Sequence, residues 1–149
     1  MQIARWIHLT GVVVWVGGMF FAHFALRPAA AELAPPLRLP LLARTLSGFF
    51  GWAGGAIVAV IGSGVWIILD LKGAAGVGRS IEAMTAIGLV MALVYAYIVL
   101  APYRRLRDAV QAADWPSGGA AMGRIRQLVG LNLALGLATI AIAVLGRGI

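Results

Sequence analysis

Arg5-Trp6-Ile7-His8-Leu9-Thr10-Gly11-Val12-Val13-Val14-Trp15-Val16-Gly17-Gly18-Met19-Phe20-Phe21-Ala22-His23-Phe24-Ala25-Leu26-Arg27 carries no Asp, Glu, Lys or Arg between its two terminal arginines. A stretch of that length covers the roughly 20 apolar residues a helix needs to cross the hydrocarbon core of a bilayer. Within it lies His8, ahead of Trp15 and the Gly17-Gly18 pair. An imidazole at membrane depth must lose water or find a partner, so His8 is the first candidate for function. His23 is the only other histidine. At 100° per residue the two fall about 60° apart on one broad helix face, roughly 22 Å apart along the axis. One therefore belongs near each end of a single span.

Working outward, the composition agrees. Hydrophobic residues make up 62% of the 149 and charged ones 11%, with a mean hydropathy of +0.95. A soluble domain of this size carries far more surface charge. Four apolar runs are expected as spans, at about 4–26, 45–69, 80–101 and 122–145, and together they use nearly the whole chain as one domain. The third is expected to continue past Pro102 as an amphipathic helix through Tyr103-Arg104-Arg105-Leu106-Arg107-Asp108. The fold class predicted is all-α and integral to the membrane, an antiparallel four-helix transmembrane bundle. The first run exceeds a signal-peptide h-region and is expected to be retained. With no cysteine, disulfides, thiolate metal sites and iron–sulfur clusters are excluded.

The charge of +7 points to phospholipid head groups rather than nucleic acid, because the basic residues flank apolar runs. Eight of the 12 basic residues (Arg27, Arg38, Arg44, Arg104, Arg105, Arg107, Arg124, Arg126) fall in the first and third loops or beside them, and Arg5, Lys72, Arg79 and Arg147 on the other side. The positive-inside rule places the former in the cytoplasm, both termini outside, and the protein in a bacterial-type inner membrane.

Small and soft residues recur at helical spacing. Ser47, Gly51 and Gly55 follow the small-xxx-small rule for close helix approach; the same glycines would also open room for a flat cofactor. Met84, Gly88, Met91 and Tyr95 form one stripe on the third span, and Leu128, Asn132, Gly136 and Thr139 share a face of the fourth. Asn132, a membrane amide, is expected to bond another helix. Met19 and His23, four residues apart, are a potential pair for a soft ion such as Cu(I). Met84 and His8 lie at matching depth, as a shared axial pair requires. No paired carboxylates, phosphate-binding loop or nucleophile elbow is present.

The segment Trp6 to Met19 resembles the first helix of the copper-resistance protein D superfamily, which includes the membrane protoporphyrinogen oxidases of the HemJ type. The resemblance implies a four-span protein in which His8 binds b-type heme. It departs at one point: those oxidases carry a functional lysine in the third helix, where Met84 stands here, and the only lysine is Lys72.

The function expected first is a heme b redox protein, for electron transfer or oxidation of a small molecule, with His8 as axial ligand. Met84 is the candidate second ligand, Gly11 and Gly18 would give room beside the imidazole, and Trp15 would line the pocket. The alternative is a copper-handling protein using His8, His23 and Met19, with Met84 and Met91 as further donors. A bundle without cofactor is the third reading. Too few histidines for bis-imidazole ligation in one chain, together with the glycine stripe, suggest a homo-oligomer, most simply a dimer. An electron-transfer partner would accompany the heme reading.

Overall fold

The computed structural model describes residues 2–72 and 78–146. Its elements are α1 (Gln2–Phe21), a π-helical turn (Ala22–Leu26), α2 (Arg27–Ala31), α3 (Pro35–Lys72), α4 (Arg79–Leu100), α5 (Pro102–Gln111) and α6 (Trp115–Leu145). Four stretches are long and apolar enough to cross a membrane: Gln2–Ala31, Pro35–Asp70, Arg79–Gln111 and Trp115–Leu145. The chain is thus a multi-pass, all-helical membrane protein among the described residues. Arg147 lies outside them.

Three boundaries differ from the sequence reading, each for a reason involving proline or a cap. The first span does not stop at Arg27-Pro28. It widens into the π-turn, with the Arg27 amide donating to the Ala22 carbonyl, and Pro28 then sits in the first turn of α2. A proline ring crowds the carbonyl four residues back, and a wider turn relieves the clash without ending the helix. The second span starts at Pro35 instead of residue 45 and carries Pro40 inside it. Leu39, Leu42, Ala43 and Leu46 are buried along this extension, and their packing outweighs the hydrogen bond that Pro40 cannot donate. The fourth span starts at Trp115 because Asp114 caps it, its side chain accepting from the Ser117 amide at 3.1 Å.

The third span breaks only at Ala101, where φ is −121° and ψ −80°, just before Pro102, which has no N–H to continue the helical ladder. Beyond the break α5 is amphipathic, as expected: Tyr103, Leu106 and Ala109 are buried while Arg104, Arg105 and Arg107 are exposed.

Contacts along the helices fix their relative direction. Going up α1, His8 meets Ser63, Gly11 meets Val60 and Gly18 meets Phe49 of α3. Val16 packs at Gly136, and His23 at Gly130, of α6. Ser80 bonds Gly146 and Met91 bonds Asn132 between α4 and α6. Tyr95 reaches Phe50, and Tyr103 reaches Ala43. In every pair one number rises as the other falls, so packed neighbours run in opposite senses. A continuous core of Trp15, Met19, Leu46, Phe50, Met91, Ile98, Ile125 and Leu133 joins all four spans.

The Ser47-Gly51-Gly55 stripe faces outward, not into this core. Leu46, Phe50, Ala53 and Ile57, the inward residues of α3, set its buried phase instead. Close helix approach occurs elsewhere, at Gly11, where an added Cβ would stand 2.7 Å from Val60 Cγ2 and 3.1 Å from the Ala56 carbonyl oxygen.

Candidate functional site

His8 occupies the seam between α1 and α3. Its Nδ1 lies 3.0 Å from the Val60 carbonyl oxygen and 3.1 Å from Ser63 Oγ. The Ser63 hydroxyl in turn donates back to the Ala59 carbonyl at 2.5 Å. A carbonyl can only accept, so the network assigns the ring proton to Nδ1 and leaves Nε2 as a lone-pair donor. Metal-ligating histidines commonly show this arrangement, one nitrogen held by a backbone carbonyl and the other free. The ring edge rests on Gly64, its Cε1 being 3.4 Å from where a Cβ would sit. Gly64 is the missed residue here: its position lies against the imidazole edge, where a Cβ would already be in van der Waals contact with the ring. A groove lined by Arg5, His8, Leu9 and Ile67 opens beside it.

The other residues read as a cofactor pocket do not gather around His8. The space beside Gly11 is taken by Val60 and the Ala56 carbonyl, and that beside Gly18 by the Phe49 ring. Trp15 is buried in the bundle core, 3% exposed, and does not line the groove. Met84 is half-buried on α4, and α1 packs chiefly on α3 and α6. The residues present therefore do not fit a porphyrin between the helices at Gly11 and Gly18.

His23 sits in the π-turn, half-buried, with Cε1 3.3 Å from where a Cβ on Gly130 would be. Phe24 meets it edge to face, with centroids 4.9 Å apart. The π-turn begins at Ala22, so His23 lies inside it while Met19 is on the α-helix before it. Met19 instead points inward and is 2% exposed. Sequence reading had no signal for this beyond Pro28.

Deeper in the bundle, Asn132 is 2% exposed and donates from Nδ2 to the Met91 carbonyl at 3.0 Å. This is the interhelical bond expected of it, and it ties α6 to α4. Its Oδ1 is buried without a hydrogen-bond partner. Among the described residues no three His, Asp or Glu side chains are grouped to hold a metal ion.

Residues 43–145 match the family model for Copper resistance protein D. No curated protein and no solved structure matches the chain significantly. The matched segment begins after α1: it contains Ser63, Met84, Met91 and Asn132, while His8, Met19 and His23 precede it. Because the match extends over more than half of the chain, the protein belongs to the copper resistance protein D family.

Proposed function

We propose that the protein handles copper within the membrane, taking up Cu(I) at one end of α1 and passing it along that helix. The observation that carries this reading is the placement of three soft or borderline donors on one helix. His8 lies toward one end, with Nδ1 held and Nε2 free; Met19 lies in the core; His23 lies toward the other end. Thioethers and imidazoles suit Cu(I), whereas hard divalent ions need the oxygen ligands that are scarce here. Membership in a family named for copper resistance agrees with that donor set. In this reading both termini lie outside, so that His8 is near the outer face and His23 near the inner one.

A heme b reading keeps one supporting observation, the same Nδ1 bond to Val60, since an axial histidine is held in that way. In that case the groove beside Arg5 and Ile67 would hold the heme, not the space beside Gly11 and Gly18.

A single preparation separates the two. Protein purified in detergent from cells supplied with both metals is analysed for copper and for absorbance. Bound copper without a Soret band, reduced by His8→Ala, is the expected result. A Soret band at full stoichiometry that His8→Ala abolishes would establish heme and overturn the copper reading.

A further inference from the structure

We infer that Met19, Met91 and Asn132 together form a Cu(I) site in the middle of the bundle, a step that rests on the copper reading above. Asn132 points to it. An amide buried in an apolar core normally satisfies both ends, because an unpaired acceptor there is expensive. Here Nδ2 is satisfied by Met91 and Oδ1 by nothing. The bond from Nδ2 to the Met91 main-chain carbonyl pins the amide in the α4–α6 seam, so its bare oxygen lies inside the bundle there.

The register of the helices brings the second thioether to the same level. Gly136 sits where Val16 Cγ2 and Met91 Cε approach, 2.9 and 3.2 Å from where its Cβ would be. Asn132 is one helical turn from Gly136 on α6, and Met19 is about one turn from Val16 on α1. The two helices run in opposite senses, so both steps lead the same way along the bundle. His23 packing at Gly130 confirms the direction, placing Asn132 between the depths of Met19 and His23. Met19 and Met91 are 2% and 3% exposed, so neither side chain faces lipid.

The chemistry of this set is selective. Thioethers are soft and neutral, and they favour Cu(I) over Mg²⁺ or Ca²⁺. The amide oxygen is a hard, neutral third donor, which keeps the site weaker than one built of thiolates. Weak, stepwise binding is what a conducting path requires, because an ion must leave as readily as it arrives. The site thus supplies an intermediate station between His8 and His23, which are separated by roughly 22 Å of helix.

The test is Cu(I) titration of the detergent-purified full chain against a chromogenic Cu(I) chelator, with X-ray absorption on the loaded protein. Wild type is compared with Met19→Leu, Met91→Leu, Asn132→Leu and His8→Ala. Leucine matches methionine closely in volume, so the methionine variants keep the core filled; circular dichroism and melting check this. The expected result is an affinity lowered about tenfold or more in each of the three core variants, with loss of the sulfur scattering shell in the methionine variants. Should Asn132→Leu fail to fold, the two methionine variants decide. Wild-type affinity and an unchanged sulfur shell in both would overturn the site. Binding that depends on His8 alone would overturn it while leaving the copper reading standing, and a wild-type protein that binds no Cu(I) removes both.

Discussion

The hydroxyl of Tyr95 stands 2.8 Å from the point a Cβ on Gly54 would occupy, and it donates to the Phe50 carbonyl at 2.6 Å. Tyr95 therefore needs a glycine on the facing helix, and this pair locks α4 to α3 near the centre of the bundle. Removing the hydroxyl in Tyr95→Phe is expected to cost about 1 kcal/mol. Gly54→Ala alone is expected to cost about 1–3 kcal/mol by displacing the ring. In the Tyr95→Phe background the same alanine has room, so the two effects are expected to be strongly non-additive. A double-mutant cycle of unfolding in detergent measures this; simple additivity would show that the pair is independent.

Gly11 and Gly17 make a contrasting pair on α1. An alanine at Gly11 meets Val60 Cγ2 and the Ala56 carbonyl, while one at Gly17 meets nothing within 4 Å. Val60 is β-branched and held on its helix, so it cannot turn away. Gly11→Ala is expected to lower stability and to shift α3 away from His8, weakening metal binding through the Val60 contact. Gly17→Ala is expected to be neutral or to stabilise by up to about 1 kcal/mol through helix propensity. Thermal melts of both variants decide the ordering.

The turn from α5 to α6 stores strain at Ala113, whose φ is 53°. Asp114 N–H bonds the Ala109 carbonyl at 2.9 Å, which closes α5 as a Schellman-type end with alanine where glycine is favoured. Ala113→Gly is expected to raise stability by about 1 kcal/mol. A lower melting temperature for that variant would show that the left-handed residue is not strained.

Asp114 caps α6, and the hydrogen bonds from Ser117 hold its carboxyl below the ordinary carboxylate range. A depressed folded-state value means the contribution is present above the unfolded value, about pH 4, and is lost as pH falls through the folded one. Acidification is therefore expected to erase the stability difference between wild type and Asp114→Ala, with wild type ahead at neutral pH. Parallel pH titrations of stability would refute the cap if the gap stayed constant.

The orientation proposed for the bundle is checked by reporter fusions at the C-terminus. An active phosphatase and a dark fluorescent protein are expected there; the reverse pattern inverts the placement of His8 and His23.

Hydrophobic run length and charge determined the membrane class, the spans and the amphipathic α5 directly from sequence, because these depend on composition within one helix. His8, Met19, Met91 and Asn132 were legible as candidates for the same reason: polar or soft groups inside a span need partners. Which partners they find is a matter of register between helices, and only the tertiary structure decided it. The small-xxx-small stripe of Ser47, Gly51 and Gly55 fits the spacing for helix contact, yet Leu46, Phe50 and Ile57 bury more apolar surface and turn the stripe outward. Gly11 and Gly18 looked like room for a cofactor, and neighbouring helices filled it. His23 sits in the π-turn before Pro28 and packs against Gly130, while Met19 points into the core. Periodicity within a helix names a face; the packing of bulky side chains across helices decides what that face meets.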